Sequence, residues 1–127
     1  VRRKLGERDM PLFEDAAFRA LQSGLDAMWM KQQIASHNIA NVETPGFKAK
    51  TVEFKQVLKE AADGPGLVCK AVVGEDDVTE ARADGNNVQV EKEERELGKA
   101  YTEYSAMTSR MAGKLSTLRY VINNAGK

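Results

Sequence analysis

Apolar residues recur at helical spacing along much of the first third of the chain. At alternating steps of three and four residues stand Phe18, Leu21, Leu25, Met28, Gln32, Ala35, Ile39 and Val42. This alternation is the heptad pattern of a helix that packs along one seam, and only Gln32 in it is polar. No proline interrupts residues 12–44. The pattern therefore predicts an N-terminal helix over residues 11–44.

A second seam of the same kind occupies the last third of the chain. Its members are Leu97, Tyr101, Tyr104, Thr108, Met111, Leu115, Leu118, Ile122 and Ala125. Glutamates lie early in this segment and basic residues lie late, which is the order that the helix dipole favours. We predict a C-terminal helix over residues 88–125, with Asn86 or Asn87 as its N-cap.

The middle of the chain, residues 45–87, lacks a long period and predicts an insert of short elements. Phe54, Val57, Leu58 and Ala61 stand at helical spacing and indicate a small helix of two turns. Residues 63–66 read Asp-Gly-Pro-Gly, a turn signal. The β-branched run at residues 67–73 predicts one strand or half of a β-hairpin, and the charged residues 75–87 predict a surface loop.

The predicted fold is mainly α, with two long helices that pack as an antiparallel coiled coil around this insert. Each seam spans roughly 40 Å, and a short connection favours pairing within the chain. One helix pair leaves apolar residues outside the seams uncovered, among them Trp29, Ile34 and Val121. Apolar surface on that scale is typical of a site where a partner binds.

Charge and hydropathy indicate what the chain does not bind. Nineteen basic and nineteen acidic residues cancel, so no overall field attracts nucleic acid or an anionic membrane. No apolar run approaches the roughly 20 residues of a membrane span, and the first residues lack the apolar core of a cleaved secretory signal. We interpret residues 1–10 as a disordered extension, with Met10 as the natural start and residues 1–9 upstream of it.

The sequence contains no constellation of residues that would support catalysis or metal binding. His37 is the only histidine and Cys69 the only cysteine, and neither has a local partner for a zinc site or an activated nucleophile. The run Asp84-Gly85-Asn86-Asn87 begins like a calcium loop, but the following residues lack the required glycine and ligands. We predict a non-enzymatic protein without a cofactor.

The N-terminal seam ends in the stretch "NIANVETPGFK", which the residues alone leave open to two interpretations. Asn38 and Asn41 lie on one helix face, Pro45 favours extended backbone at Thr44, and Gly46 supplies a turn. This is either an ordinary helix C-terminus or a packing face. In the second case the amides would bind unpaired carbonyl groups at the end of a neighbouring helix.

The longer stretch "ASHNIANVETPGFKAKTVEFK" closely resembles the N-terminal motif of bacterial flagellar rod and hook proteins. In that motif an Asn-x-x-Asn pair leads into Thr-Pro-Gly, an aromatic residue and Lys. A second block, "DGNNVQVEKEERELGKAYTEYSAMTSRMAGKLSTLRYVI", is similar to the C-terminal part of rod proteins in this group. Phe47 departs mildly, since many relatives carry tyrosine there.

The resemblance implies a structural subunit of the flagellar basal body, in the proximal rod, that polymerises in the periplasm and transmits torque. Such proteins leave the cytoplasm through the flagellar type III export apparatus without a cleaved signal. The implied partners are further copies of the chain, the rod proteins FlgC and FlgF, the adaptor FliE, the membrane-ring protein FliF and the export apparatus. Binding to nucleic acid or insertion into the membrane is not implied.

The resemblance also implies which residues act in assembly. The assembly motif would comprise Asn38, Ile39, Ala40, Asn41, Thr44, Pro45, Gly46 and Phe47. Packing between subunits would use Leu21, Leu25, Met28, Ala35, Ile39, Leu97, Tyr104, Met111, Leu115, Leu118 and Ile122. The seams alone also permit a cytosolic coiled-coil adaptor or secretion chaperone, although Gln32, Ala35 and Thr108 weaken them for a tight dimer.

Overall fold

The computed structural model describes residues 16–61 and 64–126. Within these residues, four elements follow one another: α1 (Ala16–Ala40), β1 (Lys50–Ala61), β2 (Gly64–Glu75) and α2 (Val90–Asn124). The chain is mainly helical, with two long helices on either side of one antiparallel β-hairpin. These helices were predicted from the seams and are confirmed. Residues 1–10, interpreted as an extension, lie outside the described residues.

Helix α1 ends in tight turns a few residues before the predicted boundary at residue 44. The N–H of Asn41 donates to the carbonyl groups of both His37 and Asn38, and the N–H of Val42 donates to Ile39, all between 3.1 and 3.2 Å. Bonds over three residues are common in the last turn of a helix.

The prediction of a small helix in the insert is wrong. Its residues, Phe54, Val57, Leu58 and Ala61, belong to β1 instead. Each of the twelve residues of β1 pairs with one residue of β2 in an unbroken antiparallel register. Val57 lies opposite Val68, and cross-strand pairs of such β-branched side chains stabilise a sheet. The partner strand outweighs the local helical spacing, so the predicted hairpin is longer than expected.

The two helices pack against each other, and their contacts run in opposite order along the chain. In the first half of α1, a β-carbon added at Gly24 would lie 3.0 Å from the sulfur of Met107. Closer to the C-terminus of α1, Lys31 forms an ion pair with Glu96 near the start of α2. The packed helices are therefore antiparallel.

Helix α1 also crosses the hairpin from one edge to the other. The Ser23 hydroxyl accepts a hydrogen bond of 2.9 Å from the N–H of Cys69, on the outer edge of β2. Fifteen residues later, Asn38 bonds to the backbone of Lys50, on the outer edge of β1. The hairpin is therefore held by α1.

Small apolar residues form the centre of the molecule. The buried apolar residues among those described are Ala27, Met28, Ala35, Ala49, Val88, Ala100 and Leu118. Because most are alanines, the helices approach closely while burying little apolar area. No described helix has the length and hydropathy needed to span a bilayer.

Candidate assembly site

The motif after α1 and the loop before α2 meet in a polar cluster, which we call the asparagine junction. It consists of Asn38, Asn41, Thr44, Asn86 and Asn87. Three of these, Asn38, Asn86 and Asn87, are buried. Buried amides require hydrogen-bond partners, and the partners of each define what the junction holds together.

Asn86 binds carbonyl groups in the turns after α1. Its side chain is fully buried, and its Nδ2 donates to the carbonyl oxygens of Asn41, Val42 and Thr44 at 2.9, 3.0 and 2.9 Å. Its Oδ1 accepts the N–H of Val88 at 2.8 Å. These carbonyl groups belong to the turns that follow Ala40, the last residue of α1, so Asn86 holds the start of the connection to the hairpin.

The prediction that Asn86 or Asn87 is the N-cap of α2 is therefore wrong. Gln89 precedes α2, and its side chain makes no capping hydrogen bond. The side-chain amides of Asn86 and Asn87 form hydrogen bonds with backbone groups that are distant in the sequence instead. The sequence signal for this contact was the Asp-Gly-Asn-Asn run, which we had interpreted as an incomplete calcium loop and as the source of the N-cap.

Asn38 holds the first residue of the hairpin. Its Nδ2 donates to the carbonyl of Lys50 at 2.8 Å, and its Oδ1 accepts the N–H of Lys50 at 2.9 Å. A single amide thus bonds both backbone groups of one residue, as a neighbouring antiparallel strand would. Since Asn38 is fully buried, its polar groups act within the chain.

Asn87 bridges the two strands beyond the last pair of the hairpin. Its Oδ1 accepts the N–H of Ala49 at 2.6 Å, and its Nδ2 donates to the carbonyl of Asp76 at 2.7 Å. The junction therefore joins the end of α1, the open end of the hairpin and the loop that leads into α2.

Asp76 closes the loop after β2. Its carboxylate accepts hydrogen bonds from the hydroxyl and the N–H of Thr79, and from the N–H of Val78, at 2.6, 2.9 and 3.0 Å. These bonds, led by the Thr79 hydroxyl, hold the pKa of Asp76 well below its ordinary value. Lys92 of α2 adds an ion pair at 3.2 Å.

Another ion pair ties the first turns of α2 to α1. Lys31 lies beside Glu96, and the hydrogen bond that it donates lowers the pKa of the Glu96 carboxyl. The Lys31 ammonium also lies 5.6 Å from the centroid of the Phe54 ring on β1. Lys31 thus contacts both the other helix and the hairpin.

The remaining residues of the motif lie at the surface. Asn41 is partly buried and donates its amide to the carbonyl of His37 at 2.8 Å, while its Oδ1 accepts the Thr44 hydroxyl at 3.2 Å. Phe47 packs edge-on against His37, with ring centroids 5.6 Å apart. The exposed members are Ala40, Thr44, Pro45 and Gly46, and Ile39 is partly buried.

The predicted packing residues of α1 line the interior of the molecule at least in part. Met28 and Ala35 are buried, and Leu21, Leu25 and Ile39 are partly buried. Trp29, just outside the seam, is exposed but lies 6.3 Å from the Tyr104 ring of α2.

The predicted seam of α2 divides between two faces. Four of its nine members are buried or partly buried, namely Leu97, Tyr104, Met111 and Leu118. Ala125 is exposed just after α2, and the four exposed members within α2 are Tyr101, Thr108, Leu115 and Ile122, which we call the outward stripe. The inner face is completed by residues that the apolar pattern passed over, namely Glu93, Ala100 and Met107. The apolar members of the outward stripe therefore lack full cover within the described chain.

Chemically reactive groups are sparse at these surfaces. Within residues 16–61 and 64–126, no three histidine, cysteine, aspartate or glutamate side chains are grouped so that they could hold a metal ion. Burial raises the pKa of the Cys69 thiol, which favours the unreactive protonated form. The geometry of the junction and the stripe suits packing.

Comparison with known proteins identifies the family. Residues 18–48 match the family model described as flagella basal body rod protein. The flagellar basal body rod protein FlgB of Bacillus subtilis is 31% identical over 89% of this chain and 97% of its own length. The chain belongs to the FlgB family. FlgB of Aeromonas hydrophila is 31% identical over 87% of this chain and 98% of its own length.

More distant members align over a similar share. FlgB of Escherichia coli strain K12 is 22% identical over 87% of this chain and 95% of its own length. The predicted rod subunit is thereby confirmed: as a member of the FlgB family, the chain is a structural, non-enzymatic component of the flagellar basal body rod.

Proposed function

We propose that this chain builds the proximal rod by packing its helix pair, as an antiparallel coiled coil, against the helices of neighbouring subunits. The observation that carries this proposal is the outward stripe. Tyr101, Leu115 and Ile122 expose 63%, 43% and 52% of their surface, at a spacing that continues the seam. Fully burying an exposed leucine or isoleucine contributes about 1.5–3 kcal/mol, so covering the exposed half of one contributes roughly half as much, and a neighbouring helix gains stability here.

Small residues beside the stripe support close helix packing. Gly98, Ser105 and Ala112 each stand three residues before a member of the stripe, and all three are exposed. Residues three apart are neighbours on a helix surface, so small and larger side chains alternate along this face. A ridge from another helix fits into the grooves of such a surface.

The asparagine junction has a different part in this proposal. It sets the position of α1 relative to α2 and the hairpin, through amides that are already satisfied within the chain. Asn41, Pro45 and Phe47 then present a surface of defined shape beside the helices. We propose that this exposed part of the motif, and those seam residues of both helices that are not buried, contact other subunits.

The proposed partners are copies of the chain, the rod proteins FlgC and FlgF, the adaptor FliE and the membrane-ring protein FliF. We further propose export by the flagellar export apparatus without a cleaved signal, and a final location in the periplasm, where the rod transmits torque. The resemblance of the two motif blocks to rod proteins supports this assignment.

Complementation tests the proposal. The chain is expressed in a motile bacterium whose own FlgB has been deleted, and swimming and purified basal bodies are scored. We expect the unchanged chain to restore rods, and Leu115→Asp together with Ile122→Asp to abolish them while circular dichroism stays native. Leu118 is unsuitable for this test because it is buried.

A matched control places a charge elsewhere on the surface. Val78 is 95% exposed on the loop after β2, and Val78→Asp should leave rod formation unchanged. Full motility of the double variant would contradict the proposed packing surface.

A further inference from the structure

The outer edge of β1, the edge that faces away from β2, has no partner strand after its first residue, Lys50. The N–H of Cys69 points away from the sheet, towards Ser23, and Gln56 lies opposite Cys69 in the register. Cys69 and Gln56 thus form a non-hydrogen-bonded pair, in which the N–H and carbonyl groups of both residues point away from the partner strand. The backbone of Gln56 therefore points away from β2, and strand alternation turns that of Phe54 and Leu58 the same way.

The first outward residue of this edge is already occupied. Lys50 follows the same alternation, and both of its backbone groups are bonded by Asn38. The next outward residues are Val52, Phe54, Gln56, Leu58 and Glu60. For Val52 to Leu58, the described residues provide no partner for the outward N–H and carbonyl groups. The side chains of residues 53–58 are all exposed, so this stretch is accessible on both faces.

We propose that this edge pairs antiparallel with β1 of a second copy of the chain, about a two-fold axis at Gln56. The outward residues that follow Lys50 along β1 run from Val52 to Glu60, and Gln56 is the midpoint of this stretch. A two-fold pairing centred there uses all of them, since Val52 then lies opposite Glu60 and Phe54 opposite Leu58. Each such pair exchanges both backbone hydrogen bonds.

The residue types that face each other are complementary in this register. Glu53 lies opposite Lys59 on one face, twice by symmetry, and exposed Phe54 lies opposite exposed Leu58 on the other face. Opposite charges and apolar pairs directly across two strands are stabilising.

The two adjacent symmetric registers place like charges together. A centre at Lys55 puts Lys55 opposite its own copy, and a centre at Val57 puts Lys55 opposite Lys59. Like charges directly opposite destabilise a pair of strands. Charge therefore selects the register centred on Gln56.

This contact goes beyond the proposed rod interface. It is isologous, so it closes after two copies and yields a dimer with a four-stranded sheet. The outward stripe lies on α2, and none of its residues takes part in this strand pairing. The two proposals are therefore tested by different experiments.

A proline scan with sedimentation analysis tests the edge. Proline removes an N–H, and the N–H of Gln56 points away from β2, so Gln56→Pro should preserve the hairpin and abolish the dimer. The N–H of Val57, the next residue, faces β2. Val57→Pro should therefore disrupt the hairpin, and circular dichroism should show the loss of structure. The unchanged chain should show a monomer–dimer equilibrium between micromolar and millimolar concentration. A strictly monomeric chain over that range, or a Gln56→Pro variant that still dimerises, would overturn the proposal.

Disulfide trapping tests the register without destabilising the fold. In a Cys69→Ala background, Gln56→Cys places two thiols across the axis, where Cα atoms about 5.5 Å apart permit a disulfide. Val52→Cys lies opposite Glu60 and should not crosslink. Glu53→Lys should weaken the dimer, and adding Lys59→Glu should restore it. Equal crosslinking of the two cysteine variants, or no recovery in the double variant, would overturn the register.

Discussion

Gly85 and Gly46 touch through their backbones where the loop before α2 meets the turn after α1. A β-carbon at Gly85 would lie 3.2 Å from the Cα of Gly46, and the two residues take left-handed φ angles of 83° and 73°. The N–H of Gly46 also donates to the carbonyl of Asp84 at 2.8 Å. The loop therefore packs closely on the turn, and a side chain at Gly85 would be crowded against Gly46.

This contact predicts that Gly85→Ala destabilises the chain. The left-handed backbone costs about 1–2 kcal/mol for alanine, and the crowding against Gly46 adds to it. Urea unfolding followed by circular dichroism should show a loss of about 2–3 kcal/mol. Gly113→Ala is the control, because a β-carbon at Gly113 in α2 meets nothing within 4 Å. That change should stabilise the helix by about 0.5–1 kcal/mol, and an equal loss in both variants would contradict the account.

Asn86→Asp tests the amide that binds the turns after α1. Aspartate has nearly the same shape, but its ionised carboxylate cannot donate to the three carbonyl groups and repels them. We expect the free energy of unfolding to fall by about 2–3 kcal/mol at neutral pH. Asn124→Asp provides the comparison, since exposed Asn124 donates to only one carbonyl, that of Tyr120. A similar, small effect of both changes would show that Asn86 does not hold the junction.

Asn38 and Asn41 should separate stability from assembly. Asn38→Ala leaves both backbone groups of Lys50 without a partner, so the isolated chain should lose about 2–3 kcal/mol. Asn41→Ala removes partly exposed bonds and should cost less than about 1 kcal/mol, yet it should abolish rod assembly and motility if Asn41 contacts other subunits. Urea unfolding and swimming assays measure the two effects. Normal motility of Asn41→Ala would remove Asn41 from the proposed contact surface.

Asp76 predicts an acid-sensitive part of the stability. Its pKa is lowered in the folded chain, so its stabilisation is complete above the ordinary value of about 3.9 and decreases as the pH falls further. Asp76→Ala should therefore cost about 2 kcal/mol at pH 7, and this difference should shrink at about pH 3. Asp77→Ala, at the neighbouring exposed carboxylate, should change little at either pH. A cost of Asp76→Ala that does not vary with pH would contradict this origin.

Periodicity was sufficient to predict the two helices, but not which face of α2 packs against α1. Steps of three and four from Leu97 lead equally well to Tyr101 or to Ala100, and only the bulk of tyrosine favoured Tyr101. In the structure Ala100 is fully buried and Tyr101 is exposed, because close contact with α1 needs a small side chain. A pattern that scores apolar size cannot distinguish a seam within the chain from one that faces outwards.

Contacts over long sequence separation were not predictable from local pattern. Asn86 binds residues more than 40 positions earlier, and no nearby residue indicates that partner. The same limit explains the incorrect helix at Phe54, since β2 determines the conformation of β1. The left-handed turn at Gly46, by contrast, follows from local chemistry and was predicted correctly.

Thiol labelling of assembled rods tests most directly whether neighbouring subunits cover the outward stripe. Leu115→Cys in a Cys69→Ala chain would be labelled in the soluble protein and in purified basal bodies, with Val78→Cys as the exposed reference. We expect Leu115→Cys to react readily in the soluble chain and to be protected in the rod, while Val78→Cys reacts in both. Equal labelling of Leu115→Cys in soluble chain and rod would contradict the claim that neighbours complete this helix face.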